Sequence, residues 1–191
     1  RAESHAGSQV SNPGRAQESE FAFLKLPAVW FCWTFFFFSM AATSSLQSFA
    51  PSALNQIYDL AISVGSYFIT LLALGSAGGV LLGGYLAAKL QAPERIVTVC
   101  LSISILMSLL LATGWISTDV IPVLFIVIGL GYGIVGPSRD LLVKSATPQG
   151  VAGRVYGIVY SGIDLGAAVG PFLFGFFMDA GLPTALFLGI A

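Results

Sequence analysis

Charged side chains are scarce in this chain of 191 residues. Asp, Glu, Lys and Arg make up 9% of it and hydrophobic residues 56%, whereas an average soluble domain has about 25% charged residues. A soluble helical protein of this size would carry charges along every helix, so the composition excludes that class. The formal net charge of −1 gives no indication of nucleic-acid binding.

Residues that carry most enzyme chemistry are also few. The single histidine, His5, lies outside the apolar segments, which excludes an intramembrane protease built on a Ser–His pair. Cys32 and Cys100 lie inside apolar segments, where thiols usually act as small apolar residues, and no Cys/His spacing resembles a metal site. No glycine-rich phosphate-binding loop is present. We therefore expect no metal, no cofactor and no enzymatic activity.

Long apolar segments dominate the sequence. Each of the first five reaches about 20 residues, which is enough to cross a hydrocarbon core of roughly 30 Å. The predicted spans are 26–48, 60–88, 96–115, 120–137 and 155–178, with a sixth over 183–191. The predicted fold is an all-α transmembrane helix bundle over residues 25–191, after a flexible cytoplasmic linker over residues 1–24. Because the chain begins with Arg1 and its sixth apolar segment is too short to span, we expect it to be part of a longer protein.

Basic residues occupy only one set of gaps between the spans. The eight are Arg1, Arg15, Lys25, Lys89, Arg95, Arg139, Lys144 and Arg154. The alternate gaps hold Asp59, Asp119 and Asp179 and no basic residue. Since positive charge stays on the cytoplasmic side, the N-terminal linker is predicted to be cytoplasmic. In a bacterium the protein would lie in the inner membrane.

Glycines recur at four-residue intervals in two spans. They are Gly75, Gly79 and Gly83 in span two and Gly162, Gly166 and Gly170 in span five. In lipid, small residues let helix backbones approach closely, which favours tight packing, and smooth faces also allow helices to slide during transport. Both interpretations are open. The four glycines of span four, between positions 129 and 136, do not form one stripe and are expected to loosen the helix before Pro137.

The outer end of span one is polar. Its polar residues are Thr43, Ser44, Ser45, Gln47 and Ser48. Such a row favours a water-lined face, with Gln47 as a candidate pathway residue, but Ser and Thr also bond back to carbonyls of their own helix. Both alternatives are open.

Asp164 is the one Asp, Glu, Lys, Arg or His well inside a predicted span. It follows Arg154 by about 15 Å of helix, which places it near the bilayer midplane, where a carboxylate indicates function. On a helical wheel it points away from the glycine stripe. Tyr160 lies one turn below and is expected to hydrogen-bond the carboxyl, with Ser161 on the same polar patch. The alternative is a structural Asp bonded to a neighbouring helix or to Arg139.

Arg139 and Asp140 directly follow span four. The apolar residues after them, together with Lys144, predict a short helix that lies at the membrane interface. Arg139 is a candidate for the substrate or proton pathway. Alternatively, Arg139 and Lys144 serve only to set the topology.

A loop motif after span two resembles one found in the major facilitator superfamily. The stretch 83–89 (Gly-Gly-Tyr-Leu-Ala-Ala-Lys), with Arg95 in the same loop, is similar to the second-half copy of Gly-x-Leu-x-Asp-Arg-x-Gly-Arg. Ala88 replaces the acid of that motif and Gln91 its second glycine. By this resemblance, loop and gating roles are expected for Gly84, Lys89, Arg95 and Arg154.

The whole chain resembles the C-terminal half of such a transporter, with helices seven to eleven and the start of helix twelve. Residues 153–157 (Gly-Arg-Val-Tyr-Gly) and 166–171 (Gly-Ala-Ala-Val-Gly-Pro) carry the resemblance in span five. The stretches 138–148 and 160–164 are similar to bacterial fosmidomycin-resistance efflux carriers.

The resemblance implies a function. Two six-helix halves would rock about a central site and carry a small molecule by alternating access, as proton-coupled efflux.

 
Asp164 would then be the carboxyl that carries a proton, and the expected partners are the lipid bilayer, the substrate, protons and an N-terminal six-helix half. The alternatives are a non-transport membrane scaffold, an integral-membrane enzyme or a channel. The loops are too short for the first two and hold no catalytic cluster, and no selectivity ring appears.

Cysteine labelling tests the predicted topology. Asp59→Cys, Asp119→Cys and Asp179→Cys should react with an impermeant maleimide outside intact cells, in a background without the native cysteines. Lys89→Cys and Lys144→Cys should react only after permeabilisation, because basic loops stay inside. External labelling of Lys89→Cys would overturn the orientation.

Overall fold

The computed structural model describes residues 27–89, 92–147 and 152–191. Within these ranges the chain forms six helices and no strand. They are α1 Pro27–Tyr58, α2 Ile62–Lys89, α3 Pro93–Ala112, α4 Ile121–Ala146, α5 Ala152–Asp179 and α6 Thr184–Ile190. The predicted all-α helix bundle is confirmed. The linker predicted over residues 1–24 lies outside the described residues.

Large apolar side chains cover the outside of the bundle. Phe31 is 75% exposed, Leu81 78% and Phe172 80%, and the described helices α1 to α5 are each long and apolar enough to cross a membrane. Apolar side chains gain by facing outward when the surrounding medium is lipid, and a helix satisfies its backbone groups internally there. The chain is therefore an integral, multi-pass membrane protein.

Helix α1 extends well beyond its predicted end at residue 48. It continues through Pro51 to Tyr58. The proline removes one backbone hydrogen bond, but the turn after it buries Ala53 and Leu54 completely. This buried apolar face keeps the segment helical, so the polar outer end of span one is the middle of a longer helix.

Helix α4 likewise continues through Pro137, to Ala146. The expectation of a separate interfacial helix after span four is wrong, because residues 141–146 are the last turns of α4. Val143 is 1% exposed and anchors this extension to α1 and α5. Breaking the helix at the proline would leave further backbone groups without partners, which is costly in lipid.

The glycine stripe of α5 lies directly against the backbone of α1. Gly162, Gly166 and Gly170 are all buried. A Cβ added to Gly170 would lie 2.5 Å from the carbonyl oxygen of Ala41. One added to Gly166 would collide with the carbonyl oxygen of Phe37. No residue larger than glycine fits this contact unless the two helices separate.

The second stripe lies against α4, which contributes glycines of its own. A Cβ added to Gly75 would lie 2.5 Å from the carbonyl oxygen of Ile126. One added to Gly83 would lie 2.7 Å from the backbone of Ile134. Gly129 and Gly133 pack in return on the backbone of α2. The expectation that the glycines of span four loosen the helix is therefore wrong: two of them form a stripe that interlocks with α2.

These contacts define the order of the helices. Helix α1 packs on α5 and α2, α4 packs on α2 and α3, and α6 packs on α1 and α3. A large apolar core at the end with the α1–α2 and α3–α4 turns includes Leu54, Phe68, Phe125 and Phe187. A smaller cluster at the opposite end joins α1, α4 and α5. Its buried members are Val29, Phe36, Val143, Val155 and Val159.

A pair of leucine substitutions tests the α1–α5 contact. Gly166→Leu should lower the unfolding free energy of the detergent-purified protein by about 1–3 kcal/mol or more, measured by thermal unfolding. The larger side chain pushes α5 away from α1. Ala168→Leu is the control, since Ala168 is exposed on the same helix, and it should have little effect. Equal or reversed losses would contradict a packing role for the stripe.

Candidate functional site

The face of α5 opposite the glycine stripe is polar. Tyr156, Tyr160 and Asp164 follow one another at four-residue spacing, so they lie along one side of the helix. Asp164 lies about 18 Å from the start of this 28-residue helix, near its middle. It is exposed and makes no hydrogen bond or ion pair with the described parts of the chain.

Tyr160 bonds a different carboxylate from the one expected. Its hydroxyl donates to Asp140 Oδ1 on α4, with an oxygen–oxygen distance of 3.3 Å. The predicted bond from Tyr160 to Asp164 is therefore wrong. Asp140 also lies 3.8 Å from Arg139 Nε, measured from its Oδ1. Asp140 thus sits between a basic group and a phenol, whereas Asp164 has neither.

Arg139 points towards α1. Its guanidinium carbon lies 4.0 Å from the centroid of the Phe36 ring, and Phe36 is fully buried. A cation over an aromatic face is attracted by the ring quadrupole. The rings of Phe36 and Tyr160 also form a T-shaped pair, with centroids 5.5 Å apart. The charge of Arg139 is thus offset by Asp140 and an aromatic face, and the predicted alternative of an Asp164–Arg139 bond is absent among the described contacts.

Ser161 belongs to the contact between α1 and α5. Its hydroxyl accepts a hydrogen bond from Trp33 Nε1 at 3.2 Å and donates to the carbonyl of Ile158 at 2.6 Å. The bond from Trp33 joins α1 to α5, whereas the bond to Ile158 lies within α5. The hydroxyl of Ser161 is thus bonded to Trp33 and Ile158 and makes no bond to Asp164 among the described contacts, and its role in the pathway stays a prediction.

The hydroxyl groups of α1 bind backbone carbonyls. Thr43 and Ser45 donate within their own helix, at 2.8 Å and 2.6 Å. Ser44 donates to the carbonyl of Ala167 on α5 at 3.1 Å. Gln47 is exposed. Of the two interpretations of this row, back-bonding accounts for Thr43 and Ser45, and an interhelical bond accounts for Ser44.

The predicted loop and gating residues lie at helix ends. Gly84 is exposed and has open space around it, and Lys89 Nζ lies 4.7 Å from the centroid of the Tyr85 ring. Arg95 and Arg154 are exposed in the first turns of α3 and α5. Residues 90–91, between Lys89 and Arg95, lie outside the described ranges. All four are thus far along their helices from the middle of the bundle.

A cavity of about 480 Å³ lies on the other side of α5 from Asp164. Helices α1, α3, α4, α5 and α6 line it, with polar side chains that include Ser104 of α3 and Tyr132 of α4. Its apolar lining includes Phe35, Phe38, Leu101, Ile105, Leu173 and Phe174. Asp164 is not part of this lining. Among the described residues no group of three His, Cys, Asp or Glu could hold a metal.

Sequence reasoning missed Asp140 as a partner of Tyr160. The two residues are 20 positions apart and lie on different helices, whereas a helical wheel compares only residues of one helix. The adjacent Arg139 suggested a charge pair but not the phenol. A usable signal was the pair of ionisable groups just after Pro137, where a proline would have been expected to end the span.

A pair of double-mutant cycles tests which carboxylate Tyr160 binds. Tyr160→Phe combined with Asp140→Ala should show a coupling of about 0.6 kcal/mol in unfolding free energy, a usual value for hydrogen bonds between membrane helices. The matched cycle of Tyr160→Phe with Asp164→Ala should show a coupling near zero. A larger coupling in the second cycle would contradict the observed geometry.

Comparison with known proteins agrees with this architecture. No curated protein and no solved structure shows significant similarity to the chain. The sequence model of the Major Facilitator Superfamily matches residues 3–190, which is nearly the whole chain. The resemblance seen in the loop and span-five motifs is thereby confirmed at the level of the superfamily: this chain belongs to the Major Facilitator Superfamily.

Proposed function

We propose that this protein is a proton-coupled secondary transporter that exports a small molecule, with Asp164 as the proton-carrying group. Members of the superfamily are secondary transporters of small molecules rather than enzymes. Proton coupling, export and the similarity to fosmidomycin-resistance carriers go beyond that membership. The observation that carries the proposal is an exposed carboxylate at the middle of α5 that has no partner among the described residues.

The energetic argument separates Asp164 from Asp140. A carboxylate at the centre of a bilayer costs at least about 2.5 kcal/mol on insertion scales, so its presence requires a compensating role. Asp140 lies nearer the end of its helix, beside Arg139, and accepts a hydrogen bond from Tyr160. Asp164 has no such partner within the described structure, which is the expected state of a group that binds and releases a proton or a substrate.

The position of the polar ridge, the face of α5 that carries Tyr156, Tyr160 and Asp164, also fits alternating access. Since the glycine stripe commits one side of α5 to α1, the ridge with Asp164 is free to face a second six-helix half. In this arrangement Asp164 would lie between the two halves. The helix-end residues Gly84, Lys89, Arg95 and Arg154 would then act in gating on the cytoplasmic side, with Arg139 near the inner end of the pathway.

Gradient-driven transport in vesicles tests the proposal. Inverted membrane vesicles with an acidic interior would be offered ethidium, a carboxyfluorescein and Nile red, which cover cationic, anionic and neutral molecules. Wild-type protein should accumulate at least one of them in response to the gradient. Asp164→Asn should reduce that rate by about tenfold or more, because an amide can accept a hydrogen bond but cannot titrate.

Two control variants sharpen the result. Asp164→Glu keeps a titrating carboxyl and should retain part of the activity. Asp179→Asn removes an exposed carboxylate at the outer end of the same helix and should behave as wild type. Rates are normalised to protein in the membrane. Wild-type rates in Asp164→Asn would contradict the assignment of Asp164 as the proton-carrying group and place that group elsewhere.

A further inference from the structure

Charge at the middle of the bundle has one sign. The described basic residues Lys89, Arg95, Lys144 and Arg154 lie near helix ends, and the acids Asp59, Asp119 and Asp179 lie at the opposite ends. Arg139 reaches further in, but it is paired with Asp140 and covers the Phe36 ring. Asp164 is thus the uncompensated charge at mid-depth in the described structure, and it is negative.

Aromatic rings accompany this carboxylate. Tyr156 and Tyr160 stack on each other below Asp164, with centroids 5.7 Å apart and planes at 19°. Tyr160 is in turn held by its bond to Asp140 and by its edge contact with Phe36. The Tyr160 ring is therefore fixed one turn from Asp164, and its hydroxyl hydrogen is directed away from Asp164. Fixed aromatic rings attract cations and not anions.

We propose that Asp164 and the Tyr156–Tyr160 pair form a binding subsite for an organic cation, which makes the substrate a positively charged molecule with apolar or aromatic substituents. The inference rests on the proposed transport function and specifies its substrate class. The carboxylate neutralises the charge, and the rings contact the substituents. An anion would be repelled by Asp164, because no unpaired basic group of the described structure lies at the same depth to offset that charge.

Two ions of nearly the same shape and opposite charge test the sign of the subsite. Tetraphenylphosphonium and tetraphenylborate would be titrated against the purified full-length protein in nanodiscs, with empty nanodiscs subtracted to remove lipid partitioning. Ethidium serves as a second cation of different shape. Saturable binding of at least one cation, without saturable binding of tetraphenylborate, is the expected result.

Substitutions then assign the binding to named groups. Asp164→Asn should raise the Kd of the cation about tenfold or more, and Asp164→Glu should raise it less. Tyr160→Leu, which removes the ring, should raise the Kd about two- to fivefold, whereas Tyr160→Phe, which keeps it, should have a smaller effect. Asp179→Asn is the control and should bind as wild type. Circular dichroism and gel filtration of each variant check that the protein is folded.

The outcomes separate this inference from the proposed function. Absence of saturable binding for both cations, equal binding of tetraphenylborate, or an unchanged Kd in Asp164→Asn would overturn the cation subsite. Gradient-driven transport that needs Asp164 could still stand in that case. Conversely, cation binding through Asp164 without any dependence of transport on the pH gradient would support the subsite and overturn the proton coupling.

Discussion

Close backbone contact between glycine-bearing helices is the constraint on which the rest of this structure depends. Lipid supplies no hydrophobic drive for helices to associate, so packing energy comes from how closely their backbones approach. Gly166 meets the backbone of α1, and Gly79 meets that of α4. These contacts build two helix pairs, α1–α5 and α2–α4. They also fix the rotation of each helix, and thereby which of its faces remains available for function.

The rotation of α5 explains why its glycines and its polar side chains occupy different faces of the helix. Its glycines turn towards α1, so the ridge with Tyr160 and Asp164 must turn away from that contact. Towards the N-terminal end of α5, Asp140 reaches across from α4 and accepts a hydrogen bond from Tyr160. The two carboxylates therefore have different environments within about one helical turn of the same phenol. Asp140 accepts a hydrogen bond from that phenol and lies beside Arg139, whereas Asp164 makes no bond in the described structure, as the proposed site requires.

The ends of α1 and α4 show that packing and the lipid environment override the local preference of proline to end a helix. A proline usually ends a helix because it removes a hydrogen bond and crowds the preceding turn. Pro51 and Pro137 nevertheless lie inside α1 and α4. In each case the residues beyond the proline have a buried apolar face, and in lipid an interrupted helix would expose unpaired backbone groups. These tertiary and solvent effects cannot be seen in the local sequence, so the predicted spans one and four ended too early.

The sequence by itself determined the helical class, the five long spans and the spacing of the glycine stripes, because apolar run length and helical periodicity are properties of single segments. It also placed Asp164 near the middle of its helix and opposite the stripe on that helix. Only the tertiary structure decided that Gly129 and Gly133 interlock with α2, that Ser161 accepts from Trp33, and that Tyr160 binds Asp140. Each of these depends on the separation and rotation of two helices, which backbone packing sets and no single segment encodes.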